Sequence, residues 1–210
     1  MRVFGLLALA ALSLEVSAQT AQLRLVSTAW SPFTNESGQP RFALDLVEAG
    51  LGRIGVKAST TIVDASQFTS ALLSGPFDGS AAAWKDAERE KTLLFSQPYL
   101  ENRLRLVARR GGDVSAATVA DLKGKRVAIV EGYAYGEAID QSGAAVVRSR
   151  SEEDSLKLLL DSKVDYTLMD ELVVEYIVSH YPKEAGARLQ IGSTPLLTRE
   201  LHLAIKRTRA

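Results

Sequence analysis

The charged residues at 86–91 are the side chains of this chain best suited to bind a charged ligand. They read Asp-Ala-Glu-Arg-Glu-Lys, and five residues separate Arg89 from the sequence Phe-Ser-Gln-Pro-Tyr at 95–99. A guanidinium such as that of Arg89 can donate two parallel hydrogen bonds to a carboxylate. Charged runs of this kind are more often the solvent-exposed face of a helix. Taken alone, the run leaves both interpretations open.

Other residue patterns exclude several classes of site. The chain has no cysteine and two histidines, so the sequence predicts no transition-metal site. No Ser-His-Asp arrangement, phosphate loop or dinucleotide fingerprint is present. Acidic and basic residues are interspersed and the formal net charge is zero. The chain therefore lacks the excess of basic charge that would attract nucleic acid or an anionic membrane. We therefore expect no cofactor, no metal and no nucleic-acid partner.

The N-terminus has the pattern of a secretory signal peptide. Arg2 precedes an apolar stretch at residues 3–14, and small residues end at Ala18, where we predict cleavage. The apolar stretch is shorter than the roughly 20 residues that span a bilayer. An uncleaved anchor helix is the alternative. A lipid anchor would need a cysteine at the cleavage site, so we expect a free protein in the periplasm of a Gram-negative bacterium.

The rest of the chain alternates strand and helix patterns. Strands are predicted at residues 23–28, 57–63, 78–84, 104–108, 126–130, 144–147, 166–169, 189–191 and 201–205. Helices are predicted at residues 43–54, 66–74 and 171–181, and two more begin near Gly136 and at Ser151. Such alternation predicts open, mostly parallel sheets with helices on both faces. Ligands of these sheets bind beyond the carboxyl ends of the strands.

Four motifs, in order, resemble those of the family 3 extracellular solute-binding proteins, the periplasmic amino-acid-binding proteins of bacteria. The sequence at 86–99 is similar to T-P-E-R…F-S-x-P-Y, that at 30–33 to an aromatic-x-Pro-Phe loop, that at 121–127 to D-L-K-G-K-x-V, and that at 165–170 to D-A-x-x-x-D. The resemblance implies an α/β fold of two lobes of the type II periplasmic-binding-protein kind. Each lobe would be a mostly parallel sheet flanked by helices, and two crossing strands would join them.

The resemblance also implies limits for the lobes. Lobe 1 would hold residues 19–108 and 195–210, and lobe 2 would hold residues 109–194. The pair Gly111-Gly112 breaks the strand pattern and is a candidate crossing point. The family usually continues beyond the last strand with one or two helices, whereas this chain stops at Ala210. We therefore expect either a C-terminally short variant or an incomplete chain.

The resemblance assigns roles to three side chains. Arg89 would hold the α-carboxylate of the ligand, Asp170 would hold its α-ammonium from the opposite lobe, and Trp30 would lie over its side chain. Asp170 is equally suited to cap a helix that begins at Glu171. Trp30 is equally suited to ordinary core packing.

Two positions depart from the family pattern. Trp84 stands near a position that is usually Ser or Thr, and Gly132-Tyr133-Ala134-Tyr135-Gly136 replaces a Gly-Ser-Thr-like turn. Backbone N–H groups of this turn can still bind an anion, so we expect Tyr133 and Ala134 to take part in the site. We expect Trp84 to take part as well, with its ring in the wall. The two rings would make it smaller, more aromatic, or suited to a ligand other than a common amino acid. Alternatively, both rings pack only within the lobes.

The implied function is capture of a small zwitterionic ligand, an amino acid by preference, by a monomeric, non-catalytic protein. The protein would deliver this ligand to the permease of an ABC transporter. A ligand-sensing module is one alternative. The other is an enzyme of the cyclohexadienyl dehydratase type on the same fold, which needs a positioned proton donor. Glu131 and Glu137 are the carboxylates available for that role.

Overall fold

The computed structural model of the chain describes residues 22–180 and 186–209. The predicted signal peptide lies outside the described residues. Among those described, no helix is both long enough and apolar enough to cross a membrane.

The described chain alternates strands and helices over most of its length. The strands are β1 Gln22–Thr28, β2 Lys57–Val63, β3 Gly79–Trp84, β4 Leu93–Phe95, β5 Leu100–Arg109, β6 Arg126–Val130, β7 Ala145–Ser149, β8 Tyr166–Asp170 and β9 Leu189–Lys206. The helices are α1 Phe42–Arg53, α2 Ala65–Ser74, α3 Ala87–Thr92, α4 Glu137–Asp140, α5 Glu152–Leu160 and α6 Glu171–His180. Short 3₁₀ turns lie at Val119–Leu122 and Arg207–Arg209.

One twisted sheet contains two halves of the same design. Its strand order is β2-β1-β3-β9-β5-β8-β6-β7, and β4 pairs with β9 at the side of this path. In the first half β1 pairs parallel with β2 and β3, and in the second half β6 pairs parallel with β7 and β8. The central pairs, which involve β5 and β9, are antiparallel. Two parallel three-stranded units are therefore joined by two long strands.

The strands β5 and β9 pair with each other along almost their whole length. Their register runs from Leu100 opposite Leu201 to Arg109 opposite Leu189. The sequence predicts two short strands at 189–191 and 201–205, whereas the structure has a single strand, Leu189–Lys206. Pro195 lies between these two stretches, and proline usually interrupts a strand. Here the pairing between β5 and β9 is irregular near Pro195, and proline is tolerated at such irregularities.

Helices cover both faces of the first half of the sheet. The consecutive residues Leu25 and Val26 of β1 point to opposite faces, as alternation in a strand requires. Leu25 packs with Leu44 of α1, and Val26 packs with Phe68 of α2. In the second half, α5 and α6 bury their apolar faces in the largest cluster, which also contains Trp30 and Trp84. The packing between the halves is thus continuous with the core of the second half.

Candidate functional site

Five of the six predicted site residues line a single cavity between the two halves. It lies where β1 and β3 end, opposite the turn that follows β6. Its walls are Ser27, Thr28, Trp30, Phe68, Ala82, Trp84, Arg89, Tyr133, Ala134 and Leu201. The cavity measures about 30 Å³, which is room for about two water molecules. The site is therefore nearly filled by its own side chains.

Arg89 is the buried cation of this cavity. It is the third residue of α3, and its backbone N–H donates to the capping carboxylate of Asp86 at 2.7 Å. The flanking charged residues of α3 are exposed, but Arg89 is only 5% exposed. The interpretation of an exposed helix face therefore holds for its neighbours and fails for Arg89.

The guanidinium of Arg89 connects the two halves through backbone carbonyls. Its Nη1 donates to the carbonyl oxygen of Trp84 and its Nη2 to that of Gly132, both at 2.8 Å. The Asp86 carboxylate lies 3.8 Å from Nε, which is beyond hydrogen-bond distance. Burial lowers the pKa of Arg89; the charge of Asp86 opposes this and that of Arg199 adds to it. Arg89 is thus a desolvated cation without a hydrogen-bonded carboxylate in the described part of the chain.

Glycine is required at position 132 by the close approach of the halves. Gly132 has a φ of +77°, and a Cβ there would lie 2.9 Å from the carbonyl oxygen of Ala65. Thr69 also donates to the Gly132 carbonyl, at 3.4 Å. The turn after β6 therefore touches α2 of the first half directly.

Four aromatic rings fill the space between the halves. Trp84 contacts Trp30, Tyr133 and Tyr135 edge to face, with ring centroids 5.5–5.6 Å apart. This is the arrangement that aromatic pairs favour. The Tyr133 hydroxyl also lies 3.2 Å from the hydroxyl of Thr28 in the opposite half. Trp84 and Tyr133 thus line the cavity as well as packing against other rings, and their part in holding a ligand stays a prediction.

Asp170 does not line this cavity. Its Oδ1 accepts hydrogen bonds from the N–H groups of Leu172 and Val173 and so caps α6. Its Oδ2 accepts from the Asn102 amide and the Arg103 N–H, both at 3.1 Å. Burial raises its pKa to about 6, although these hydrogen bonds oppose the rise. The structure shows the capping bonds, and a role for Asp170 toward a ligand's ammonium stays a prediction.

Asn102 joins Asp170 to the cavity wall. It is completely buried, accepts from the Trp84 indole N–H at 2.7 Å and donates to Asp170. Sequence reasoning missed this residue, because it lies outside the strand predicted at 104–108 and a lone polar side chain is usually exposed.

Glu152 is the second residue that sequence reasoning missed. It is the first residue of α5 and is 6% exposed, and burial raises its pKa to about 8. An acidic residue in a first helical turn is commonplace, since it stabilises the helix dipole, so its sequence position gave no signal. By contrast, Glu131 and Glu137, the carboxylates predicted for an enzymatic role, are both exposed.

Comparison with known proteins identifies the family. The pattern of the bacterial extracellular solute-binding proteins, family 3, matches residues 25–203. The virulence sensor protein BvgS of Bordetella bronchiseptica is 30% identical over 125 residues, which are 58% of this chain and 10% of the sensor. The membrane-bound lytic murein transglycosylase F of Saccharophagus degradans is 28% identical over 107 residues, which are 48% of this chain and 21% of the transglycosylase. The chain therefore spans a tenth to a fifth of the length of these relatives.

Solved structures of similar shape are binding proteins by their titles. An ancestral arginine-binding protein bound to arginine superposes with a TM-score of 0.73 at 26% identity, over 89% of this chain and 85% of that one. Arginine-bound, truncated ArgBP from T. maritima gives 0.73 at 25% identity, over 90% of both chains. The GluR0 ligand-binding core, at 18% identity, shares the fold alone. The predicted two-lobed α/β fold of type II periplasmic binding proteins is confirmed.

Proposed function

This chain belongs to family 3 of the bacterial extracellular solute-binding proteins, and we propose that it captures a small amino acid between its halves. Arg89 would hold the carboxylate of that ligand. The observation that carries the proposal is the burial of Arg89 in the cavity without a hydrogen-bonded carboxylate among the described residues. Two proteins of similar structure bind arginine, which supports an amino acid as the ligand here.

Arg89 has capacity to spare for a ligand. A guanidinium carries five N–H donors, and the two carbonyl bonds use one on each terminal nitrogen. Burying a charge is costly unless the charge is paired. A carboxylate that reached Arg89 would add the hydrogen-bonded partner that Asp86, at 3.8 Å, does not provide. The interaction would be stronger there than in water.

Ligand entry requires the halves to separate, because the present cavity holds about two waters. The polar bonds across the gap are few: Arg89 to Gly132, Thr69 to Gly132, and Tyr133 to Thr28. A bond between neutral groups contributes only about 0.5–1.5 kcal/mol net, and one from a charged group such as Arg89 about 1.5–3 kcal/mol. The strands β5 and β9 pass through both halves and would act as the hinge. A ligand that contacts both halves would bind the closed state more tightly than the open state, and would therefore stabilise the closed state.

The proposal also covers location and partner. The protein would act in the periplasm as a monomer after cleavage behind Ala18, with lobes at 19–108 plus 195–210 and at 109–194. It would pass its ligand to an ABC transporter permease and catalyse no reaction. The exposure of Glu131, which lines neither the Arg89 cavity nor its neighbouring pocket, supports the non-catalytic role, because a proton donor has to be positioned within a cleft.

A ligand-sensing module is the second candidate, and the 30% identity to the sensor protein BvgS favours it. Transport and sensing share the capture step and differ in the membrane partner. Cross-linking of the ligand-loaded protein in intact cells distinguishes them, because transport requires a permease in the cross-linked product and sensing requires a receptor.

Thermal unfolding of the chain without residues 1–18 tests the capture step, with each common amino acid added in turn. A ligand at a hundred times its Kd adds about 2.7 kcal/mol to the free energy of unfolding, which shifts the Tm by a few degrees. Arg89→Ala should abolish that shift. Arg109→Ala is the matched control, because Arg109 also donates to two backbone carbonyls but does not line the cavity. Retained affinity in Arg89→Ala would refute the carboxylate assignment.

A further inference from the structure

A second and larger cleft lies beside the Arg89 cavity, and Trp30 lines both. It opens between the loop after β1 and the helices α5 and α6, and it measures about 380 Å³. That volume lies within the range of small-molecule sites. The side chains that matter for its chemistry are Trp30, Asn35, Glu152, Glu153, Tyr176 and His180.

Two buried polar groups of this cleft lack hydrogen-bond partners in the described part of the chain. They are Oε2 of Glu152 and Nε1 of Trp30, in residues 6% and 7% exposed. The Trp30 indole approaches the Glu152 carboxyl and opposes the rise of its pKa, but without hydrogen-bond geometry. Buried polar atoms are nearly always paired in folded proteins. A carboxyl oxygen without a protein partner, in a residue that lines an open cleft, is therefore available to a group that enters the cleft.

The charges around Glu152 determine the sign of that group. The carboxylates of Glu153 and Asp170 both act on Glu152, and burial, together with the charge of Glu152, raises the pKa of Tyr133 and Tyr135. Among the described residues that line the cleft there is no lysine or arginine, and His180 is the one basic side chain. The surroundings of Glu152 thus favour a positive charge.

Aromatic rings supply the second feature of a cation site. Trp30 and Tyr176 both line the cleft, and the faces of such rings attract ammonium and guanidinium groups. Tyr176 stacks on His180 with centroids 4.0 Å apart, which fixes the orientation of its ring.

We propose that this cleft binds an organic cation, an ammonium or guanidinium group, whose charge Glu152 pairs as a carboxylate. Because burial keeps Glu152 protonated near neutral pH, its proton passes to solvent as the cation enters. The charge of the cation enters the cleft and the proton of Glu152 leaves it, so the net charge of the cleft does not change. The cation belongs either to an amino acid whose carboxylate lies at Arg89 or to a free amine. The inference concerns the cleft of the proposed function but does not require Arg89 to bind a carboxylate.

Titration calorimetry with agmatine, a guanidinium-bearing amine without a carboxylate, tests the proposal. Both charged ends of agmatine stay protonated below about pH 9. With Glu152 titrating near pH 8, agmatine should bind about 50-fold more tightly at pH 8 than at pH 6. Repeating the titration at pH 6.5 in buffers of different ionisation enthalpy should show release of about one proton for each agmatine bound.

Two variants distinguish Glu152 from other carboxyls. Glu152→Gln should lose both agmatine binding and proton release, and its thermal unfolding reports that it has folded. Glu131→Gln is the matched control, since it makes the same chemical change at an exposed carboxyl that does not line the cleft. The 50-fold pH dependence should persist in that variant. Failure of agmatine to bind at pH 8, or equal binding to the parent protein and to Glu152→Gln, would overturn the proposal.

L-arginine in the same experiment identifies the source of the cation. Tighter binding of L-arginine than of agmatine, with the difference lost in Arg89→Ala, would support an amino acid that spans both cavities. Equal binding of the two would support a free amine. Binding of L-arginine without any binding of agmatine would overturn the cation site and leave the proposed function intact.

Discussion

Replacing Glu152 by Gln should change how the stability of the fold depends on pH. Burial raises the pKa of this carboxyl from an ordinary 4.5 to about 8. Below pH 4.5 the carboxyl is protonated in both the folded and the unfolded chain, and stability is unaffected. Between pH 4.5 and 8 the unfolded chain releases a proton that the fold retains, so the free energy of unfolding falls as the pH rises.

The size of this fall follows from the two pKa values. The slope approaches 1.4 kcal/mol per pH unit, so the loss reaches roughly 5 kcal/mol by pH 8. Asp170, whose pKa is raised to about 6, contributes a fall of the same sign at lower pH. Because Asp170 is present in both proteins, the difference between the parent protein and Glu152→Gln isolates the contribution of Glu152.

Urea denaturation at pH 5, 6, 7, 8 and 9 measures the effect. The stability of Glu152→Gln relative to the parent should rise steadily up to pH 8 and then level off. Glu131→Gln, which makes the same chemical change on an exposed side chain, is the control and should follow the parent. If the parent and Glu152→Gln lose stability in parallel between pH 5 and 8, then the carboxyl is not held protonated and the argument fails.

Three further substitutions test the contacts around the Arg89 cavity. Tyr133→Phe removes the hydroxyl contact to Thr28 and should lower the free energy of unfolding in urea by about 0.5–1.5 kcal/mol; no change would mean that this contact is not formed in solution. Trp84→Phe removes the indole bond to Asn102 and volume from the wall, so it should cost about 1–3 kcal/mol while admitting larger ligands in the thermal-shift series. Asp170→Ala removes the cap of α6 and should cost about 1–2 kcal/mol by urea denaturation; a loss of ligand binding without any loss of stability would instead favour the ammonium role.

The sequence predicted the fold class and most strands to within a few residues, because hydrophobic alternation and glycine positions are local signals. It did not predict that β9 is continuous. The pairing of residues 192–200 with β5 is a long-range interaction that overrides the local signal of Pro195. The predicted short strand at 104–108 became Leu100–Arg109 for the same reason.

Residues whose positions a motif specified lie together at one cavity, and their roles toward a ligand stay predictions. Residues whose chemistry arises from burial alone had no sequence signal. The motif resemblance brought Arg89, Trp30, Trp84, Tyr133 and Ala134 to one cavity. For Asp170 the sequence allowed two uses, and the structure shows the capping bonds. Glu152 and Asn102 had no signature, because their properties arise from packing between segments that are distant in the sequence.

The position of strand β9 in the sheet determines the order in which the strands can pair during folding. Ser80 of β3 pairs with Ala204, so the inner edge of β3 stays open until β9 has been synthesised. Such distant pairings make folding slow. The strands β5, β6, β7 and β8 can pair before β9 exists, whereas β3 cannot gain its antiparallel neighbour until β9 is present. The first half should therefore complete its sheet after the second.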